Sequence, residues 1–168
     1  MSDEEIQDVL EKQYRAVIAM HSQAIGECPD SLWVADHYHN RTWHIAYHAI
    51  FYTHFYLHPS DSQFEPWPKH RPNAQFLGAT PWPPYERPVI QGSYTRAEVL
   101  ECCEFCLDEL KARVRSLDMR SPSGFPWLPF SRMELHLYNI RHLQHHAGQL
   151  IDRLRTATEA EFAWIGTV

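Results

Sequence analysis

The stretch Met133 to Arg155, MELHLYNIRHLQHHAGQLIDRLR, contains no proline and a single glycine. Met133, Leu137, Ile140, Ala147, Ile151 and Leu154 recur along it at spacings built from threes and fours, the period of an amphipathic helix with one face on a core. The same stretch carries His142, His145 and His146. At about 100° per residue, His142 and His146 lie roughly 40° apart, one turn apart on the same face. Leu135 and Leu150 fall near them, which places that flank in a buried setting, whereas His145 points toward Arg141 and solvent. Two imidazoles at i and i+4 can reach one point, and helical HxxxH pairs hold divalent metals in this way. With 12 His in 168 residues the spacing also arises by chance, so a metal site needs a third ligand from another element.

The bulk properties narrow the function classes. A chain of 168 residues fits one domain, 1–168, with a sizeable core. A formal net charge of −6 offers no basic footprint, so a nucleic-acid partner is not expected. No apolar run approaches the ~20 residues of a membrane span, so no membrane association is expected. The acidic start MSDEEIQDVLEKQY lacks the basic and apolar regions of a secretory signal. Cys28 stands apart, and Cys102, Cys103 and Cys106 cluster on one expected helix, which suits reduced thiols in a cytoplasm.

Four helices are expected in chain order. The first runs from about Asp3 to Ile25, capped by Ser2 or Asp3, with a stripe of Ile6, Val9, Leu10, Gln13, Val17 and Met20. Ser31 to Asn40 reads as a linker or short helical turn, with Asn40 as the N-cap of the next element. Arg41 to about Leu57, RTWHIAYHAIFYTHFYL, is too long without Gly or Pro for an ordinary strand. As a helix it places His44, His48, Phe51, Tyr52 and Phe55 on one face. The third runs from Thr95 to about Leu117, with Thr95 and Glu98 forming a capping box and Val99, Cys102, Cys103, Cys106, Leu107, Leu110 and Val114 facing the core. The fourth begins at about Ser131. Between the second and third lies the Pro- and aromatic-rich segment Ser60 to Ser93, too aromatic for simple disorder. It is expected to lie ordered against the helices, as a pocket wall or a subunit contact. The expected fold class is therefore all-α, a four-helix bundle with one long crossover, and bundle cores are a usual place for metal sites. His44 or His48 of the second helix can meet the His142/His146 pair. Three neutral imidazoles would leave an open position for water or substrate.

The pattern Trp43-x4-His48-x6-Phe55, followed far downstream by His142-x3-His146-x-Gly148-Gln149-Leu150, resembles the DinB-like superfamily of four-helix metalloproteins. The resemblance spans essentially the whole chain. It implies a divalent metal, nickel or zinc, bound by His48, His142 and His146, with His44 as the alternative. The family frequently has Arg after the last ligand His, where this chain has Ala147. Some relatives are thiol S-transferases using low-molecular-weight thiols such as bacillithiol or mycothiol, and another is a maleylpyruvate isomerase. The resemblance thus implies fold and metal more firmly than reaction.

The expectation is a metal-dependent enzyme, a thiol S-transferase or a hydrolase, in which the metal activates a thiol or water against a small-molecule substrate. Tyr52 is a candidate hydrogen-bond donor, and Glu134, two turns before His142, a candidate base at the pocket mouth. The rival expectation is a non-catalytic metal-binding or stress-response bundle, closed by His44 as fourth ligand. His37, His39, His54, His58 and His70 read as structural or surface residues, and His136 falls on neither the ligand face nor the core face. Cys103-x-x-Cys106 lacks the context of a redox motif and reads as buried small hydrophobes. The hydrophobic tail and the aromatic surfaces make a homodimer plausible.

Overall fold

A computed structural model describes residues 2–168. The chain order is α1 (Asp3–Gly26), a four-residue turn α2 (Asp30–Trp33), α3 (Thr42–Tyr56), a 3-10 turn (Asp61–Gln63), α4 (Arg96–Ser116) and α5 (Arg132–Thr158). No strand occurs among the described residues, and one isolated bridge pairs Pro122 with Ser131. The helix starts follow from side-chain oxygens that take up free backbone N–H groups. Ser2 with Glu5 and Thr95 with Glu98 form complete capping boxes, and Ser131 Oγ accepts from the Glu134 amide. The start of α3 differs from expectation. Its N-cap is Arg41, with no side-chain bond, and Asn40 lies one residue outside.

The four long helices pack so that α1 and α3 each run along both α4 and α5. α3 is buried on nearly every side; Trp43, Ile45, Ala46, Tyr47, Ala49 and Ile50 are all below a tenth exposed. The crossover covers part of it. Trp67 and Ala74 are buried, and Tyr94 ties the segment down by accepting from the Arg71 amide at 2.6 Å and donating to the Lys69 carbonyl at 3.0 Å. Arg71 also reaches Glu98 at the start of α4, which fixes the far end of the crossover.

Two stripes are phased differently from expectation. On α1, Val9 is 50% exposed and Gln13 is exposed, while Leu10, Tyr14, Val17 and Ile18 face the core. On α5, Leu137 is 55% exposed, and the inner row in that half is Leu135, Asn139 and Leu143. The physical reason is the tail after α5. It folds back so that Trp164 and Ile165 line a surface cleft with Leu137 and Ile140. Apolar residues therefore occupy two flanks of α5, and counting them by period merges the two.

The shifted phase buries His136 completely, against the expectation that it faced neither core nor site. Tyr14 Oη donates to His136 Nδ1 at 3.0 Å, and Asn139 Nδ2 donates to Tyr14 Oη at 3.1 Å and to the Thr53 carbonyl at 3.0 Å. This chain of bonds joins α1, α5 and α3. His21 is likewise fully buried, its Nε2–H donating to the Ala46 carbonyl at 3.0 Å. Burial lowers both imidazoles to a pKa of about 4. Each stays neutral in the folded protein while its unfolded counterpart takes up a proton near pH 6.5. Stability is therefore fully present above about pH 6.5 and is lost as the pH falls toward 4, by about 3 kcal/mol per histidine. Urea unfolding of the metal-free protein at pH 7, 5.5 and 4.5 checks this, and His136→Gln should flatten the dependence even though it lowers stability at pH 7.

The second Pro-rich loop closes one end. Arg132, 3% exposed, donates Nη1 to the His58 carbonyl at 2.9 Å and Nη2 to the Pro59 carbonyl. Gly124 lies against the Pro59 carbonyl at φ +84, and a Cβ there would come within 1.9 Å of its oxygen. Gly124→Ala should cost roughly 2–4 kcal/mol of unfolding free energy, because strain and clash act together.

Candidate metal centre

Three imidazoles meet where α3 lies along α5. α5 presents His142 and His146 one turn apart, and α3 presents His48 between them. Ring centroids are 5.1 Å apart for His48 and His142, 4.8 Å for His48 and His146, and 4.6 Å for His142 and His146. One ring nitrogen from each lies within 4.8 Å of the others. His48 Nε2 and His142 Nε2 are 3.2 Å apart. A tetrahedral zinc ion with Zn–N bonds near 2.05 Å separates its ligand nitrogens by about 3.3 Å, close to this spacing.

The hydrogen bonds behind the rings decide which nitrogens carry lone pairs. His48 Nδ1–H donates to the Gln75 carbonyl at 2.6 Å, and His146 Nδ1–H donates to Gln149 Oε1 at 2.7 Å. Both rings therefore turn an unprotonated Nε2 toward the centre, and such bonds from the far nitrogen are the usual support of a metal-binding histidine. His142 Nδ1 is buried without a partner. Without a cation, His142 Nε2–H is the only proton that can fill the gap to His48. Burial, reinforced by the neighbouring imidazoles, lowers His142 to about 3. His48 is also lowered to about 3, by burial ahead of the two facing rings. His146 is lowered by burial, partly offset by Gln149. All three are neutral at neutral pH, as ligation requires.

A cleft of about 740 Å³, walled by Phe51, Phe55, Phe76, Trp82 and Trp127, lies next to the cluster, although none of the three histidines lines it. Tyr52 and Gln75 also line it, and both belong to the cluster's surroundings. The Tyr52 ring lies 4.9 Å from His48 and 5.9 Å from His142, centroid to centroid. Burial pushes its phenol well above the usual range, so it remains a donor at any physiological pH. Gln75 gives its carbonyl to His48 and keeps a buried side-chain Oε1 without a partner. The crossover segment thus supplies one wall of the cleft.

The remaining candidates fall elsewhere. His44 stacks on Trp43 at 4.8 Å and lines a separate surface cleft with Arg87, outside the three-imidazole group. Glu134 is exposed in the first turn of α5, about 12 Å along the axis from His142 at 1.5 Å per residue, and does not line the cleft next to the cluster. His145 is exposed, and Ala147 is fully buried, leaving no room there for an arginine. All four thiols are free and buried, with Cys28 raised to about 11 and Cys103 to about 12 by burial, so none is a ready nucleophile.

A second group was not expected from sequence. His54, His58 and Glu109 also bring three donor atoms within 4.8 Å of one another. His54-x3-His58 has the same i, i+4 spacing as His142-x3-His146, and that spacing was the available signal. The carboxylate comes from α4, and no local pattern announces it.

No family model, curated protein or solved structure matches this chain.

The hydrogen bonds fix an observable. Long-range ¹H–¹⁵N spectra of the metal-free protein at pH 7 should show His48 and His146 as neutral rings protonated on Nδ1. Protonation on Nε2, or an imidazolium signature, would contradict the arrangement.

Proposed function

We propose that His48, His142 and His146 bind one divalent ion, zinc or nickel, in a four-helix bundle of the DinB-like type, and that the protein is a metal-dependent enzyme acting on a small aromatic or apolar molecule. The observation that carries the reading is the His48–His142 contact. Two Nε2 atoms face each other at 3.2 Å while the Nδ1–H of His48 is already committed to Gln75. Without a cation a single His142 Nε2–H bridges the two, whereas a cation takes up the Nε2 lone pairs of both rings and also gives His146 Nε2 a partner. Three imidazoles without a carboxylate suit zinc, nickel or copper rather than magnesium or calcium.

When bound, such an ion supplies a Lewis acid that lowers the pKa of a thiol or water at an open position. The chain's own residues set the rest. Gln75 and Gln149 orient the imidazoles. The aromatic walls exclude water and hold a flat substrate, Tyr52 offers a hydrogen bond beside the cluster, and the unpartnered Gln75 Oε1 favours a substrate that carries a donor. Thiol transfer from a low-molecular-weight thiol and hydrolysis both fit this arrangement, and the DinB-like resemblance favours the former. The cleft beside the cluster, together with His44 standing outside it, favours an enzyme over a closed, non-catalytic site.

Competition with a chromophoric zinc chelator tests the reading. The tightest zinc equivalent should be lost in His48→Ala and His146→Ala and kept in His44→Ala. Gln149→Met should weaken it about 10- to 100-fold, as expected for removing the support of a ligand histidine. Addition of a small thiol should change the visible spectrum of the cobalt-substituted protein. Equal zinc affinity in wild type and His146→Ala would end the proposal.

A further inference from the structure

We propose that His54, His58 and Glu109 form a second divalent-cation site, built from two imidazoles and one carboxylate where α3 lies along α4. His48 faces α5 across one flank of α3, while His54 faces α4 across another. His54 Nε2 and Glu109 Oε2 are 2.9 Å apart. The His54 and His58 rings lie 4.7 Å apart, almost perpendicular, at the C-terminal end of α3.

The decisive atom is His58 Nε2. His58 Nδ1–H donates to the His54 carbonyl at 3.0 Å, so Nε2 holds the lone pair. The residue is fully buried, and Nε2 has no hydrogen-bond partner. Phe64 stands edge-on to both rings, at 4.9 Å from His58 and 5.4 Å from His54, and Phe105 closes on His54 at 5.3 Å. A buried acceptor left unpaired is costly. A purely structural network accounts for His54, whose Nε2–H donates to Glu109, but it does not account for His58. A cation held by His54 Nε2, His58 Nε2 and Glu109 Oε2 satisfies all three.

The surroundings fit that role. His54 is 2% exposed but the Glu109 side chain is 31% exposed, so the site is walled by protein and reached from solvent past the carboxylate. Arg113 Nη2 lies 3.3 Å from Glu109 Oε1, and it orients the carboxylate as carboxylate ligands are commonly oriented. The same guanidinium lies 3.2 Å from Oε2 and repels a cation. This site therefore binds more weakly than the three-imidazole centre. Two histidines with one carboxylate is a ligand set used for zinc and for iron(II), with positions left open.

Calorimetric zinc titration of the chelator-stripped full chain tests this independently of the first centre. Wild type should bind two equivalents, the second more weakly. His58→Ala and Glu109→Gln should each lose the weaker equivalent and retain the tighter. His48→Ala/His146→Ala should do the reverse. Glu109→Gln changes a partly exposed side chain, so it remains informative if His58→Ala fails to fold. A single equivalent in wild type that survives Glu109→Gln, or a second equivalent that Glu109→Gln leaves in place, overturns the proposal. A single equivalent lost in Glu109→Gln but kept in His146→Ala would instead support this site and sink the three-imidazole reading.

Discussion

The burial of α3 is the constraint on which the rest of the structure depends. Thr42–Tyr56 is enclosed by α4, α5 and the crossover, yet it carries four tyrosine, threonine or histidine side chains in its second half alone. A polar group taken out of water has to find a partner or lose free energy. The partners come from every neighbour. His48 donates to the crossover at Gln75, Tyr47 Oη lies 2.6 Å from His70 Nδ1, Thr53 Oγ1 donates to the Ala49 carbonyl within the helix, and His54 reaches Glu109 on α4. The crossover is therefore ordered because a helix this polar and this deeply buried needs it as a cover.

The same desolvation makes the imidazoles useful. Exposed histidines would be half-charged near pH 6.5 and weak competitors for a cation. Here burial holds them neutral, and backbone or amide oxygens take up one N–H of His48, His146 and His58. Each ring is left with a single lone pair in a fixed direction. That preorganisation connects the packing of α3 and α5 to the chemistry proposed for the cleft.

Much of this was legible in the sequence, because the informative signals are local. Ser2 with Glu5, Thr95 with Glu98 and Ser131 mark helix starts by their own hydrogen bonds. The His142/His146 spacing is a property of one helix, and Gln149 of the motif proves to be the hydrogen-bond partner of His146. The failures are long-range. Leu137 looked like core because its neighbours across a surface cleft, Trp164 and Ile165 of the returning tail, lie far along the chain and leave it half-exposed. His136 looked idle because Tyr14, its partner, is far away in the chain on α1. Glu109 joined no pattern, since only the packing of α4 on α3 brings it to His54.

The most direct measurement is an anomalous difference map at the zinc absorption edge from crystals of the full chain grown with zinc. The account predicts a peak about 2.0–2.1 Å from the Nε2 atoms of His48, His142 and His146, with the far nitrogens of His48 and His146 still bonded to Gln75 and Gln149. A map with no peak among those three rings, while they keep the spacing described above, would contradict the central claim.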